Sequence, residues 1–224
     1  MLQYNHLFID NPNNIKGVKS LFLQSAKLIF ISFIFFISSC ASFEKNELPR
    51  SSLITTSNTS NLLNKPTAYV DLTFYSGQPD NTNTKQYASM KRVMPIIKNT
   101  IDQSSIFKSI SFDKNQSQNV DYTIKIDIYN HGDDFAVISG FISGLSLGII
   151  PGTATDNFTL DLSIIDRSGN IIKKLRNKDS IQSWIGIWFL PSTSNTFEKA
   201  LNNTIENQIT FALNKLIETK ILKQ

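Results

Sequence analysis

Reactive and metal-binding residue types are scarce in this chain of 224 residues. It holds one cysteine and two histidines, His6 and His131. A single cysteine excludes a disulfide within the chain, and the two residue types together are too few for a zinc site built on several thiolates or imidazoles. The fold must therefore be stabilised by burial and by backbone pairing.

Recognisable catalytic and nucleic-acid-binding patterns are also missing. The sequence has no G-x-S-x-G elbow, no G-x-x-x-x-G-K-[ST] phosphate loop and no H-E-x-x-H pair. The formal net charge is only +4 and no long basic run occurs, so nothing predicts a nucleic-acid partner. The short run from His131 to Asp134 is interpreted as a polar turn rather than a cation site. We therefore predict no catalytic residues, no metal and no cofactor, with an envelope hydrolase whose carboxylates are distant in sequence as an alternative.

No apolar run near the N-terminus is long enough to span a membrane. Residues 28–37 read LIFISFIFFI, ten residues that follow Lys16, Lys19 and Lys27. A helix of that length covers only about 15 Å, whereas a spanning helix needs about 20 residues. A positive flank, a short apolar run and small residues after it predict a secretory signal over residues 1–39.

The apolar run ends in a motif that identifies the cysteine as a modification site. Ile37, Ser38, Ser39 and Cys40 follow one another directly. An aliphatic residue, two small residues and cysteine resemble the lipobox of bacterial lipoproteins. The resemblance implies cleavage between Ser39 and Cys40, diacylglycerol on the Cys40 thiol and acylation of the new amine, so that the partner of the acyl chains is a membrane.

Two further expectations concern the segment after the cysteine. Ala41 and Ser42 follow it without an aspartate at the second mature position, which by resemblance to enterobacterial sorting implies the outer membrane, on its periplasmic side. Residues 40–66 are rich in Ser, Thr and Asn and contain Pro49 and Pro66. This composition predicts a lipidated flexible tether with a reach of about 25–30 Å.

Periodicity predicts a single α+β domain over residues 67–224. Apolar residues alternate over 69–75, 122–129 and 158–164, as in half-buried strands, with further strands at 106–112 and within 171–188. Apolar positions three or four apart predict helices over 85–103, kinked or restarted at Pro95, and over 196–219. The expected fold is a mostly antiparallel sheet of about four or five strands with two helices packed on one face.

By this order of elements, the domain resembles small periplasmic lipoproteins such as the curli-secretion lipoprotein, the activator lipoprotein of penicillin-binding proteins and the N-terminal domain of TolB. The resemblance implies an α+β fold and an accessory role in the cell envelope.

An insertion at residues 133–153 contains an uncharged run, FAVISGFISGLSLGII, at 135–150. Gly140, Gly144 and Gly148 are spaced four apart, which on a helix forms a groove for close approach of another backbone. The first interpretation is a buried connection against the sheet or the last helix. The alternatives are an oligomer contact through the glycine face and a loop that dips into a membrane.

A second apolar stretch, WIGIWFL, occupies residues 184–190. Trp184 and Trp188 are interpreted first as side chains that complete the core, and alternatively as a membrane-interface pair.

The predicted function is that of a lipid-anchored accessory protein of the cell envelope, without catalysis of its own. It would bind other envelope proteins, or itself, in support of transport, assembly or wall synthesis. An alternative is a ring-forming export component that inserts residues 135–150 into the membrane.

Overall fold

A mixed sheet of seven strands forms the centre of the computed structural model, which describes residues 40–54, 65–81, 84–189 and 195–219 together with Gln24 and Lys27. The predicted signal segment, apart from Gln24 and Lys27, and the cleavage residue Ser39 lie outside the described residues. In chain order the elements are β1 Cys40–Glu44, β2 Thr67–Ser76, β3 Thr84–Lys85, α1 Tyr87–Ser104, β4 Ser109–Ser111, a 3₁₀ turn Lys114–Asn119, β5 Tyr122–Gly132, α2 Phe135–Leu145, β6 Gly152–Asp166, β7 Ile171–Ile185 and α3 Phe197–Thr219.

The core lies between the sheet and two helices, as the periodicity predicts. Alternate side chains of the central strands, such as Val70, Ile126 and Leu162, point to this side and are buried. Helix α1 contributes Ile97, and α3 contributes Ile209. The two helices also contact each other, which confirms an α+β fold with two helices on one face. Helix α1 continues through Pro95 rather than restarting there.

The sheet is larger and less regular than predicted. The strand order is β1-β7-β6-β5-β2-β3, with β4 also paired to β2, so there are seven strands rather than four or five. Strand β2 is parallel to β5 and to β4, whereas the other pairs are antiparallel. The parallel pair follows from α1, because a helical crossover returns the chain to the same end of the sheet before β5 begins. The sheet is therefore mixed.

The flexible tether predicted for residues 40–66 differs from the structure over residues 40–54. Residues Cys40–Glu44 form β1, an antiparallel edge strand on β7 in which Cys40 is paired with Ile185. The composition suggested a solvated linker because the individual residues are polar. In the fold, however, Ala41 and Leu48 are buried, and the Ser42 and Ser183 hydroxyls lie 2.7 Å apart. The remainder of the predicted tether, apart from residues 65 and 66, lies outside the described residues.

Residues 45–54, called here the strap, are bound to α3 by asparagine side chains. The Asn207 amide accepts from Ser51 N at 3.2 Å and donates to the Leu48 carbonyl at 3.1 Å. Asn214 likewise accepts from Ile54 N and donates to the Ser52 carbonyl, both at 2.9 Å. An amide offers one acceptor and two donors, so it can satisfy an irregular backbone that has no strand partner.

The start of the strap is held from the sheet side. Asp179 on β7 is buried and accepts from Glu47 N at 3.0 Å, while the Ser180 hydroxyl contacts the Glu47 carboxylate at 2.8 Å. Burial raises the pKa of Asp179, and hydrogen bonds from the Ser180 and Glu47 backbone amides oppose that rise. The pKa of Glu47 is lowered, chiefly by its hydrogen bond with Ser180. Residues 45–54 are thus part of the folded domain.

Candidate functional site

The insertion folds as a short helix on one end of the sheet. Strand β5 ends at Gly132, which is paired with Asp156 of β6. Residues 152–155 of β6 therefore extend beyond β5, and α2 packs against this projecting end. At 11 residues the helix is about 16 Å long. It is shorter than the sixteen-residue run suggested, because the chain turns at Leu147 and Gly148, both with positive φ.

Small and polar residues, not the large apolar ones, form the inner face of α2. The Ser139 hydroxyl accepts from Thr153 N, and the Ser143 hydroxyl donates to the Ile185 carbonyl at 3.4 Å. A Cβ added to Gly152 would lie 3.0 Å from Ser143 Cβ and 3.1 Å from the Ser139 carbonyl oxygen. The helix can approach the strand this closely only because Ser139, Ser143 and Gly152 are small.

The large apolar side chains consequently point outward. Nine large apolar side chains of residues 135–150, together with Trp188, are between 44% and 79% exposed. These ten side chains are called here the apolar cap. Its members are Phe135, Val137, Ile138, Phe141, Ile142, Leu145, Leu147, Ile149, Ile150 and Trp188. The interpretation of this segment as a buried connection is therefore wrong. Serines occupy the positions of α2 that face the sheet, so the large apolar side chains face solvent.

The three predicted glycines do not share one helical face. Gly140 and Gly144 lie on α2, are exposed and have no atom within 4 Å of an added Cβ in the described part of the chain. Gly148 lies beyond the end of the helix with φ of 79° and is packed against Ile187. Its positive φ, which side chains rarely adopt, explains that glycine as part of the turn. A role for Gly140 and Gly144 in oligomer or membrane contact remains a prediction.

The two tryptophans lie at the same end of the sheet, but neither completes the core. Trp188 is 67% exposed, and its Nε1 donates to the Ile149 carbonyl at 2.8 Å. Trp184, the partner of Ala41 and Thr153 in the sheet, is half-buried, with its ring centroid 5.9 Å from that of Phe189. The interpretation of Trp188 as a core residue is wrong, because its ring lies over the turn at 147–150 rather than between the sheet and the helices.

Cys40 lies next to this surface. It is exposed, and it is the first residue of β1. Its partner Ile185 is in turn paired with Gly152, so Cys40, Ile185 and Gly152 form a row across three adjacent strands. Two strand spacings are about 10 Å. The sequence motif and the apolar cap, which are 95 residues or more apart in the chain, thus meet at one end of the molecule.

A second surface is the face of the sheet opposite the helices, which sequence analysis did not single out. Arg176 binds Asp161 through two hydrogen bonds of 2.6 Å, and Lys125 lies 3.1 Å from Asp127. Asp127 and Asp161 are direct neighbours across β5 and β6. Burial raises the pKa of Asp127 despite the opposing Lys125 ammonium, and its Oδ1 has no hydrogen-bond partner among the described residues.

Aromatic rings and a shallow cleft complete this face. Tyr75 and Tyr129 stack with ring centroids 5.0 Å apart. Beside them the loop at 77–81 borders a cleft of about 260 Å³, whose lining includes Asp80, His131 and Arg176. The alternation of polar residues on β2, β5 and β6 was the one feature of the sequence that could have indicated a binding surface here. The same alternation is found on any sheet face that is simply exposed to solvent.

A hydrolase of the kind considered above would need free carboxylates in a cleft, so the partners of the described carboxylates matter. In the cleft of 390 Å³ between the strap and the two core helices, Glu44 is bound by Arg50 and Asn203, while Glu206 is exposed. Asp161 is bound by Arg176. No group of three or more His, Cys, Asp or Glu side chains suited to a metal ion occurs within the described ranges.

No family model matches the chain, and no curated protein matches its sequence. Among solved structures, a neuraminyllactose-binding hemagglutinin homolog from Helicobacter pylori is 9% identical, with a TM-score of 0.42 over 67% of this chain and 81% of that one. A minor lipoprotein from Acinetobacter baumannii is 12% identical, with a TM-score of 0.38 over 70% and 92%. The PelC dodecamer from Paraburkholderia phytofirmans is 12% identical, with a TM-score of 0.30 over 76% and 94%. Over the described residues, no helix has both the length and the apolar character needed to cross a bilayer.

Proposed function

We propose that this chain is a lipid-anchored accessory protein of the bacterial cell envelope, which acts by contact with other envelope proteins and carries out no catalysis of its own. The observation that carries the proposal is the position of Cys40. It follows directly on Ile37, Ser38 and Ser39, and it is exposed at the first residue of an edge strand. A thiol in that position is accessible to a lipid-transferring enzyme and can be acylated without disturbing the core.

The absence of catalysis is supported by the way the carboxylates are used. Asp161 is held by Arg176 and Glu44 by Arg50. Asp179 is held by the backbone amides of Glu47 in the strap and of Ser180 on β7. Carboxylates engaged in this way serve the fold and are poorly placed to act on a substrate. In the envelope, the outer membrane is the proposed location, following the resemblance of Ala41 and Ser42 to enterobacterial sorting.

The proposed contact surface for other envelope proteins is the polar sheet face. Tyr and Arg are enriched at protein interfaces, and here the Tyr75–Tyr129 stack lies on the same face as Arg176. The helices cover the opposite face only, so a partner can reach these side chains directly.

Metabolic labelling with an alkynyl palmitate tests the anchor. The parent chain should incorporate label and sediment with membranes, whereas Cys40→Ala should do neither. Absence of label from the parent chain would refute lipidation, and label that persists in Cys40→Ala would place the acyl chain elsewhere.

Photo-cross-linking in living cells tests the contact surface. A photoreactive amino acid at Tyr129 should give a discrete cross-linked product that mass spectrometry can identify. The matched control places it at Tyr87, which is 67% exposed at the start of α1. Cross-links from Tyr87 alone would show that the partner binds elsewhere, and cross-links between copies would indicate self-association.

A further inference from the structure

We propose that the apolar cap is a membrane-binding surface, which inserts into the lipid surface on which the protein works. The proposal rests on the proposed function in that the chain is taken to act at a membrane. It adds that the domain itself lies against the bilayer, through a helix in the plane of the interface, and does not depend on the acyl chains alone.

The first support is the size of the apolar cap. Phe135, Phe141 and Trp188 are each 67% to 71% exposed. Aromatic side chains of this kind present 150–250 Å² each, so these three alone expose about 300–500 Å². That already equals the largest apolar patch of a typical monomeric protein, and the seven aliphatic side chains add to it. A surface of this size is expected to be covered in the working state.

The second support is that the backbone N–H groups of the turn after α2 are already paired within the protein. At the end of α2, Ser146 N, Leu147 N and Gly148 N donate to the carbonyls of residues 142, 144 and 143. The Ser146 hydroxyl accepts from Ile150 N at 3.0 Å, and the Ile149 carbonyl accepts from Trp188 Nε1. Polar backbone groups must be paired within the protein before a segment can enter lipid. The N–H groups of residues 146–150 meet that requirement, although they lie in a surface turn.

The third support is the path of the chain. Residues 1–39 precede Cys40, which lies at the end of the sheet that bears the apolar cap. If the chain begins at an acylated Cys40, the acyl chains are attached at this end of the domain. If it retains the apolar run at 28–37, that run joins the domain at the same end. A lipid surface therefore occupies the space that the apolar cap faces.

The composition of the apolar cap specifies what kind of lipid surface it takes. Residues 135–150 hold no charge, and the nearest charged residues along the chain, Asp133 and Asp134, are acidic. Binding is therefore driven by apolar area and does not require anionic headgroups, unlike that of basic amphipathic helices. The helix is too short to span, so it lies in the interface between headgroups and acyl chains.

The test uses the chain from residue 40 with Cys40→Ser, so that no acyl chain contributes. All seven strands and both core helices lie between residues 40 and 219, so this part contains the complete described core. A Trp184→Phe background leaves Trp188 as the one tryptophan of the chain. Phosphatidylcholine vesicles with brominated acyl chains should quench Trp188 emission. Vesicles with added phosphatidylglycerol should bind the protein no more than twofold tighter.

Paired lysine substitutions localise the binding. Leu145→Lys, in the apolar cap, should weaken vesicle binding about tenfold or more, because a charge replaces an apolar side chain that enters the lipid. Ile171→Lys is the matched control. Ile171 is 63% exposed but lies at the opposite end of β7, about 45 Å away along the strand. It should leave binding unchanged.

Several outcomes would overturn the inference. One is an unquenched Trp188 in a chain whose circular dichroism shows it to be folded, and another is equal weakening by Leu145→Lys and Ile171→Lys. A third is a stable oligomer in ultracentrifugation that Leu145→Lys disperses and that does not bind vesicles, because a second copy then covers the apolar cap. None of these depends on palmitate labelling of Cys40, so failure of the anchor and failure of the apolar cap are distinguished.

Discussion

Substitution of Asn207 measures how firmly the strap is bound, because the oxygen and the nitrogen of its side-chain amide both form hydrogen bonds with the strap. Asn207→Ala removes the bond from Ser51 N and the bond to the Leu48 carbonyl. A hydrogen bond of this kind contributes about 1 kcal/mol net, so the free energy of opening the strap should fall by about 2 kcal/mol. That is roughly a thirtyfold increase in the open population.

The helix propensity of alanine does not obscure this result. Alanine is a better helix former than asparagine, which partly offsets the loss in global unfolding. Because α3 stays helical when only the strap opens, the propensity gain cancels in that equilibrium. Strap opening should therefore respond more strongly to Asn207→Ala than the global free energy of unfolding does.

Limited trypsin digestion measures strap opening, since cleavage of a transiently open segment follows its population when closing is fast. Lys45 and Arg50 are the cleavage residues within the strap, and the rate of cutting after Arg50 is read by mass spectrometry. Asn202→Ala is the matched control, because Asn202 lies on the same helix and its side chain makes no hydrogen bond to the described strap. Cutting of the parent chain as fast as that of a denatured chain would refute the bound strap, as would equal rates in Asn207→Ala and Asn202→Ala.

Two further predictions concern the packing of α2 and the buried carboxyl of the polar face. Gly152→Ala should destabilise the domain in urea by about 1–3 kcal/mol because its Cβ would meet Ser143 and Ser139, whereas Gly140→Ala, in open space, should stabilise it by up to about 1 kcal/mol. A reversed order would contradict the described packing. Asp127→Asn should raise the free energy of unfolding at pH 7, because the folded state raises the pKa of Asp127 and the ionised carboxyl is therefore unfavourable there. This advantage should shrink as the pH falls through the raised pKa towards the unfolded value of about 3.9, and an advantage that is constant with pH would show that the carboxyl charge is not its cause.

The periodicity of apolar residues was sufficient to predict most of the domain. Alternation over residues 122–129 is strong because β5 has one face against the helices and one open. The turn at Asp166–Gly169 that joins β6 to β7 has the residue types such a turn needs, with Asp166 accepting from Ser168 N and Gly169 at positive φ. The parallel pairing of β2 with β5 could not be read from either strand, since strand direction depends on where α1 returns the chain.

The strap and the insertion were predicted poorly for a shared physical reason. The strap is bound largely through hydrogen bonds to its backbone, and α2 is packed through small side chains. Leu48 and Leu53, five positions apart, do not make a periodic pattern in residues 45–54. The partners Asn207 and Asn214 lie about 160 residues later. In α2 the apolar stripe was taken for the packed face, although Ser139 and Ser143 form that face. Hydropathy identifies an amphipathic segment but not which side faces the protein.

The start of β1 at Cys40 has a mechanical consequence. If acyl chains are carried on that residue, there is no slack between the bilayer and the folded domain, because the first peptide after the anchor is already hydrogen-bonded into the sheet. Such a molecule cannot reach distant partners as a domain on a long flexible linker can. It would stand at a fixed angle on the membrane, drift only within its plane, and meet neighbours that approach from the side.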